Sequence, residues 1–257
     1  MRERWEIKEL ARQAMKQQRG TAILLLFMFG IMSFVSGGLD SLVEYATGHQ
    51  GVIYFIVFYA GLFVLWVMMV NMLGEYIKIY KREHADVGAL FSGLRERFWR
   101  KLGGALWMML WVLIWSAVFM GPVLILSYVT MIDSLLLLLI PMSIFIAVKT
   151  LAYFFTFNVL ADCPNVTATE ALKVSVRITH GYKGDVFVFL LSFIGWWLLS
   201  VLTLGILYIV YVGPYFYTAD AGLYLELKEK ALADGKITRE ELGMTAPPAV
   251  HDPIIIN

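Results

Sequence analysis

"GALWMMLWVLIWSAVFMGPVLILSY", residues 104–128, runs for 25 positions without a charged side chain. At about 1.5 Å of rise per residue, a helix of that length reaches roughly 37 Å, enough to cross a hydrocarbon core of about 30 Å. A helix also satisfies its own backbone hydrogen bonds, which lipid cannot do for it. Five further stretches read the same way: 21–39, 52–73, 135–159, 186–202 and 205–225. The expected fold is therefore all-α, a polytopic transmembrane helical bundle of six spans. Only Thr203 and Leu204 separate the last two, which predicts a tight hairpin.

Composition points the same way. Hydrophobic residues make up 60% and charged residues 16% of the chain, and the mean hydropathy is +0.71. A soluble domain sits nearer half and a quarter. The single Cys163 leaves no internal disulfide, and His49, His84, His180 and His251 show no metal-ligand spacing. No phosphate-loop, dinucleotide-binding or nucleophile-elbow string occurs. These observations predict no cofactor, no metal, no nucleic-acid partner and no enzymatic activity.

The basic residues cluster. Residues 1–20 carry six, including Arg4, Lys8, Arg12 and Arg19, and residues 74–103 carry Lys78, Lys81, Arg82, Arg95, Arg97, Arg100 and Lys101. Lys173, Arg177 and Lys183 occupy the fourth connection, and Lys228, Lys230, Lys236 and Arg239 follow the last span. The alternate connections, 40–51 and 129–134, hold none. The excess of Lys and Arg in cytoplasmic loops then predicts that both termini are cytoplasmic. The N-terminal region is long, carries Glu3, Glu6 and Glu9 and has helical periodicity, all of which argue against a cleaved signal sequence.

Three short cytoplasmic amphipathic helices are expected, over 3–19, 86–101 and 167–180. Asp86 is a candidate N-cap, Thr167 and Glu170 have capping-box spacing, and Gly181 stands where a helix ends. Basic residues beside Trp5, Phe98 and Trp99 suit the anionic inner leaflet of the lipid bilayer, with Arg95, Arg97, Arg100 and Lys101 as candidate lipid contacts. Residues 229–257 read as a flexible cytoplasmic tail.

Lys149 interrupts "FIAVKTLAYFF", residues 145–155. It and Asp220 are the two charges well inside predicted spans, and both lie about 21 Å in from the outer ends. Lys149, Tyr153 and Asp220 thus form a candidate intramembrane polar site. An unpaired charge at mid-membrane costs at least about 2.5 kcal/mol. Three accounts stay open: an ion pair with Asp220, snorkelling toward the inner headgroups with Asp162 as a candidate partner, and a transport or proton-relay role. Pro122, Pro141 and Pro214 lie in the outer halves of their spans. They read first as packing features and second as the kinks of a transporter.

Over residues 160–224 the chain resembles a known family. The residues that carry the likeness are Asp162, Pro164, Glu170-Ala171-Leu172, Ser175, Gly181, Lys183, Ser192 through Trp196, Thr203, Gly205, Pro214-Tyr215, Thr218 and Tyr224. Upstream, "IKELA" from Ile7, "LFSG" from Leu90, Lys149 and Tyr153 fit as well. This pattern resembles the bacterial integral membrane proteins grouped as domain of unknown function 975. Members tend to have Ile-Pro-Gly shortly before the lysine, whereas here Met142 follows Pro141 at a longer interval. The resemblance implies a multi-helix protein of the bacterial plasma membrane and implies no reaction.

The leading expectation for function is a non-enzymatic component that binds lipid or a membrane protein complex, or forms a homo-oligomer, in envelope maintenance or peptide immunity. The alternatives are a small-solute or ion transporter using Lys149 and Asp220, and an intramembrane lipid-modifying enzyme. Asp40, Glu44, His49 and Asp133 would be the outer acid–base groups of the latter.

Overall fold

The computed structural model describes residues 3–47 and 51–244, all in helices, turns and connections. The helices are α1 (Arg4–Gln17), α2 (Arg19–Thr47), α3 (Val52–Tyr80), α4 (Ala89–Ser92), α5 (Phe98–Thr130), α6 (Leu139–Ala152), α7 (Thr156–Asp162), α8 (Ala168–Thr179), α9 (Lys183–Leu191), α10 (Ile194–Leu202) and α11 (Gly213–Ala233). Among the described residues, five helical stretches are long and apolar enough to cross a membrane: Arg19–Ala46, Val52–Tyr80, Phe98–Thr130, Ser134–Asp162 and Lys183–Leu202. The sixth expected span, 205–225, is helical too, but its second half belongs to α11, which runs on into charged residues.

The last three spans are interrupted. Pro214 has no N–H to donate, and the chain before it relaxes into a π-helical turn over Tyr208–Val212. In the fourth span, α6 stops at Ala152 and α7 begins only at Thr156. The Ala152 carbonyl instead accepts from Ser175 Oγ at 3.0 Å, and Thr156 N donates to Tyr153 O at 3.0 Å. In the fifth, Ser192 and Phe193 separate α9 from α10. The expected hairpin is present, its turn made by Leu204 at φ 52° and Gly205 at φ 83°.

Burial divides the molecule into two parts. No residue in the most apolar window of Phe98–Thr130 is buried inside the molecule, and in Ser134–Asp162 the share is 6%, so these surfaces face outward. Buried side chains concentrate at the charged end, where Ile7, Val70, Ile77, Val159, Ala171, Tyr224 and Leu227 of α1, α3, α7, α8 and α11 form one cluster with Phe155 and Phe193 from the turns before α7 and α10. The result is a packed charged base from which apolar hairpins project.

Two expectations need correction. The helix over 86–101 is not continuous: α4 is a single turn, and Arg97, at φ 52°, reverses the chain before α5. Asp86 caps no helix there, its Oδ1 accepting from Gly88 N at 2.9 Å. The tail is not free from residue 229 onward, because Ile237 and Leu242 are buried against the base and Arg177 pairs with Glu241 at 2.6 Å. Residues 245–257 of that expected tail lie outside the described residues. The other two amphipathic helices form as α1 and α8, and Thr167 and Glu170 make their capping box.

Candidate functional site

Lys149 stands on α6 with its ammonium over the Trp115 indole, 4.3 Å from the ring centroid. Trp115 Nε1 donates to Tyr153 Oη at 2.9 Å, so α5 and α6 bring Lys149 and Tyr153 onto one aromatic platform. One turn further on, the Ala152 carbonyl also accepts from Thr179 Oγ1 at 3.3 Å. That donor and Ser175 belong to α8, whose other face exposes Lys173 and Arg177. Lys149 therefore stands where the apolar hairpin meets the charged base. A cation at such a boundary keeps its head near water while its stem packs on apolar surface, and the indole face stabilises it by about 0.5 to 2 kcal/mol.

Asp220 is elsewhere. It is 4% exposed, and its Oδ2 accepts from Asn158 Nδ2 of α7 at 2.9 Å. Its Oδ1 is buried with no hydrogen-bond partner. The expected Lys149–Asp220 ion pair is not formed. Matching depths assume ideal α-helices throughout, whereas the fourth span starts as a 3-10 helix over Asp133–Leu138 and the last span shifts register through its π-turn. Lys149 then faces α5, and Asp220 faces α7.

The carboxylate that does gather cations is Asp162, at the end of α7. Lys81 Nζ reaches its Oδ1 at 3.0 Å, Lys228 Nζ donates to its Oδ2, and Tyr224 Oη donates to the same oxygen at 3.2 Å. Lys228 is itself buried, so the pair is shielded from water. Sequence reasoning placed Lys81 and Lys228 among loop cations and missed this hub. Their abrupt position at the polar ends of apolar helices was the available signal. Next to the hub, burial and then the Asp162 carboxylate push the Cys163 thiol up from its ordinary range.

Three of the four expected lipid-contacting cations are turned onto protein. Arg100 donates to Leu160 O at 2.6 Å, Val166 O at 2.8 Å and Cys163 O at 3.3 Å, tying the end of α7 to the segment that leads into α8. Lys101 Nζ donates to Asn71 Oδ1 at 2.6 Å and Gly93 O at 2.9 Å. Arg97 donates to Pro164 O and, at 3.3 Å, to Asn165 Oδ1. Among the described residues, only the Arg95 side chain of the four projects without such a bond. The physical reason is the turn at 93–97, which folds the basic segment back against α7.

These contacts wall a polar cleft of about 450 Å³ between α3, the turn after α4 and the end of α7. Asn71, Glu75, Lys78, Glu96, Lys101 and Asp162 contribute to its lining. Glu75 is 4% exposed and accepts from Lys78 Nζ at 2.7 Å and Asp86 N at 2.9 Å. Glu75 and Asp162 are thus each locked to a lysine, which gives a recess with fixed charges of both signs, suited to recognising a polar or zwitterionic group.

A family model described as "Protein of unknown function (DUF975)" matches residues 1–231. No curated protein and no solved structure matches the chain.

Proposed function

Since the chain belongs to the DUF975 family, whose description assigns no activity, we propose its function from its own geometry. The reading is a non-enzymatic component of the bacterial plasma membrane, multi-pass, with both termini cytoplasmic. Its charged base binds a partner protein or anionic lipid of the inner leaflet, in envelope maintenance or in immunity to a membrane-active peptide. The carrying observation is the cleft of about 450 Å³, in which Glu75 and Asp162 are already paired with lysines. Locked charges favour recognition by complementarity over proton transfer, which needs a group free to change its protonation state.

The test is a pull-down of the full chain in mild detergent, wild type against Ser92→Trp. Ser92 is exposed on the cleft lining, so an indole there fills the recess without entering the core. Loss of a protein or lipid that co-purifies with wild type is expected. Identical material recovered with both chains would remove the cleft from the reading.

A small-solute transporter is the second reading, favoured by the interruptions at 153–155, 192–193 and 208–212. It no longer has a Lys149–Asp220 pair to work with. A flux assay in vesicles, with Pro214→Ala restoring a regular helix, separates it from the first.

A further inference from the structure

Where α1 gives way to α2, Arg19, Arg82 and His84 line a recess of about 510 Å³ together with Gln17, Gln18, Gly20 and Thr21. The neighbouring lysines at the end of α3 and just after it are neutralised, Lys78 by Glu75 and Lys81 by Asp162. Among the described residues, Arg19, Arg82 and His84 enter no ion pair. The chain between them sorts its charges: Glu83, flanked by Arg82 and His84, lines the separate cleft on the other side.

That sorting is built at a cost. Arg82 N donates to Ile79 O at 3.0 Å and Glu83 N to Lys78 O at 2.9 Å, the two bonds that close a helix through a left-handed residue. The left-handed residue is Arg82, at φ 60°. Glycine occupies such a position without steric strain, and an arginine does not. The strained turn is then clamped to the joint by Gln18, which donates to Glu83 O at 2.6 Å and accepts from Ala85 N at 3.0 Å. A strained residue held in place by a dedicated amide, with its guanidinium unpaired, points to work for that guanidinium.

The opposite wall is the start of α2. The first intrahelical bond runs from Ala22 N to Gln18 O at 2.9 Å, so the N–H groups of Arg19, Gly20 and Thr21 precede the ladder. A helix start carries partial positive charge and spare donors. Gly20 adds no side chain, and the space where one would stand is open. Arg19 is also the first residue of the apolar stretch Arg19–Ala46, which puts the recess at the level where a span meets the headgroup layer.

We propose that this recess binds phosphate, taken from the headgroup of an anionic phospholipid or from the free ion. The proposal rests on the lipid-binding reading above and names the headgroup chemistry and its residues. Arg19 and Arg82 supply the permanent charge, His84 a further donor, and Gly20 the room for close approach.

The test uses the full chain in mild detergent, titrated with fluorescent phosphatidylglycerol and with phosphatidylcholine. Arg82→Gly removes the guanidinium and relieves the left-handed strain, so it should melt no lower than wild type while binding phosphatidylglycerol about fivefold more weakly. Adding Arg19→Gln should bring the loss to about 25-fold, one factor for each basic residue at an anionic surface. Arg82→Lys should keep most of the affinity. Inorganic phosphate as competitor tells the two sources apart: displacement of the lipid identifies the free ion as an occupant, and resistance identifies the headgroup. Either result supports the site. Phosphatidylglycerol binding unchanged in the double variant overturns it, as does a wild type that does not prefer phosphatidylglycerol to phosphatidylcholine. The cleft drops out of the partner-binding reading separately, on an unchanged pull-down with Ser92→Trp.

Discussion

Removing the carboxylate of Asp162 strands the ammonium of Lys228 in a site where its side chain is 8% exposed. Breaking a buried pair from one side costs about 3 to 5 kcal/mol, because the remaining charge keeps its desolvation penalty and loses its partner. Asp162→Asn should lower thermal stability in detergent by about that amount. Lys81→Met should cost under about 1 kcal/mol, since the Lys81 side chain is 35% exposed and water replaces its partner. Equal losses from the two substitutions would mean that the hub does not hold its charges as described. Lys149 gives the opposite kind of test. Lys149→Met and Asp220→Asn touch groups with separate partners, Trp115 and Asn158. Their effects on stability should add to within about 0.5 kcal/mol, and a larger coupling would restore the ion pair. At this scale the sequence was informative wherever partners are close along the chain. Thr167 and Glu170 cap their helix as their spacing predicts. Asp162 meets Lys81 across 81 positions and Lys228 across 66, and no local pattern encodes that.

Helices pack closely in the base where a side chain is missing. A Cβ at Gly222 would stand 2.4 Å from the Tyr80 ring and 3.0 Å from Ile7 Cγ2, so α11 meets α3 and α1 there through bare backbone. Gly222→Val must move the half-buried Tyr80 ring, and overpacking of that kind costs about 1 to 3 kcal/mol. Gly103 of α5 is the contrast, because a Cβ there would reach only ordinary contact with Ala168 at 3.5 Å. Gly103→Ala should leave stability level or raise it by up to about 1 kcal/mol through helix propensity. Thermal unfolding of both variants checks the pair, and a reversed order would place α11 elsewhere. The length and apolarity of α2, α3 and α5 are plain in the sequence, since a run of uncharged residues has one reading in lipid. The interruptions in the last three spans are not. The break after Ala152 comes from hydroxyls of α8 competing for its carbonyl, and Ser175 and Thr179 lie 23 and 27 positions away.

The charged segments form one body. Arg4 pairs with Asp185, Lys81 and Lys228 meet at Asp162, Arg100 holds the carbonyl of Val166, and Arg177 pairs with Glu241. The N-terminal helix, the connection after α3, the loop around α8 and the segment after α11 therefore lie on one side of any membrane that the hairpins cross. Which side that is follows from charge. Lys and Arg crowd these segments, and residues 129–134 at the far end carry none, so the base is expected in the cytoplasm. Single cysteines on a Cys163→Ser background test this in intact cells. Thr130→Cys, exposed at the end of α5, should react with a membrane-impermeant thiol reagent. Ser92→Cys, exposed on the base, should react only after the membrane is opened. The reverse pattern would turn the molecule over and leave every contact within it intact. It would also put the Arg19–Arg82 recess against the outer leaflet, where its phosphate would have to come from a different lipid population. Labelling at both positions in intact cells would mean that the base and the hairpin ends share a side, which the length of α5, 33 residues, forbids for a chain that crosses the bilayer.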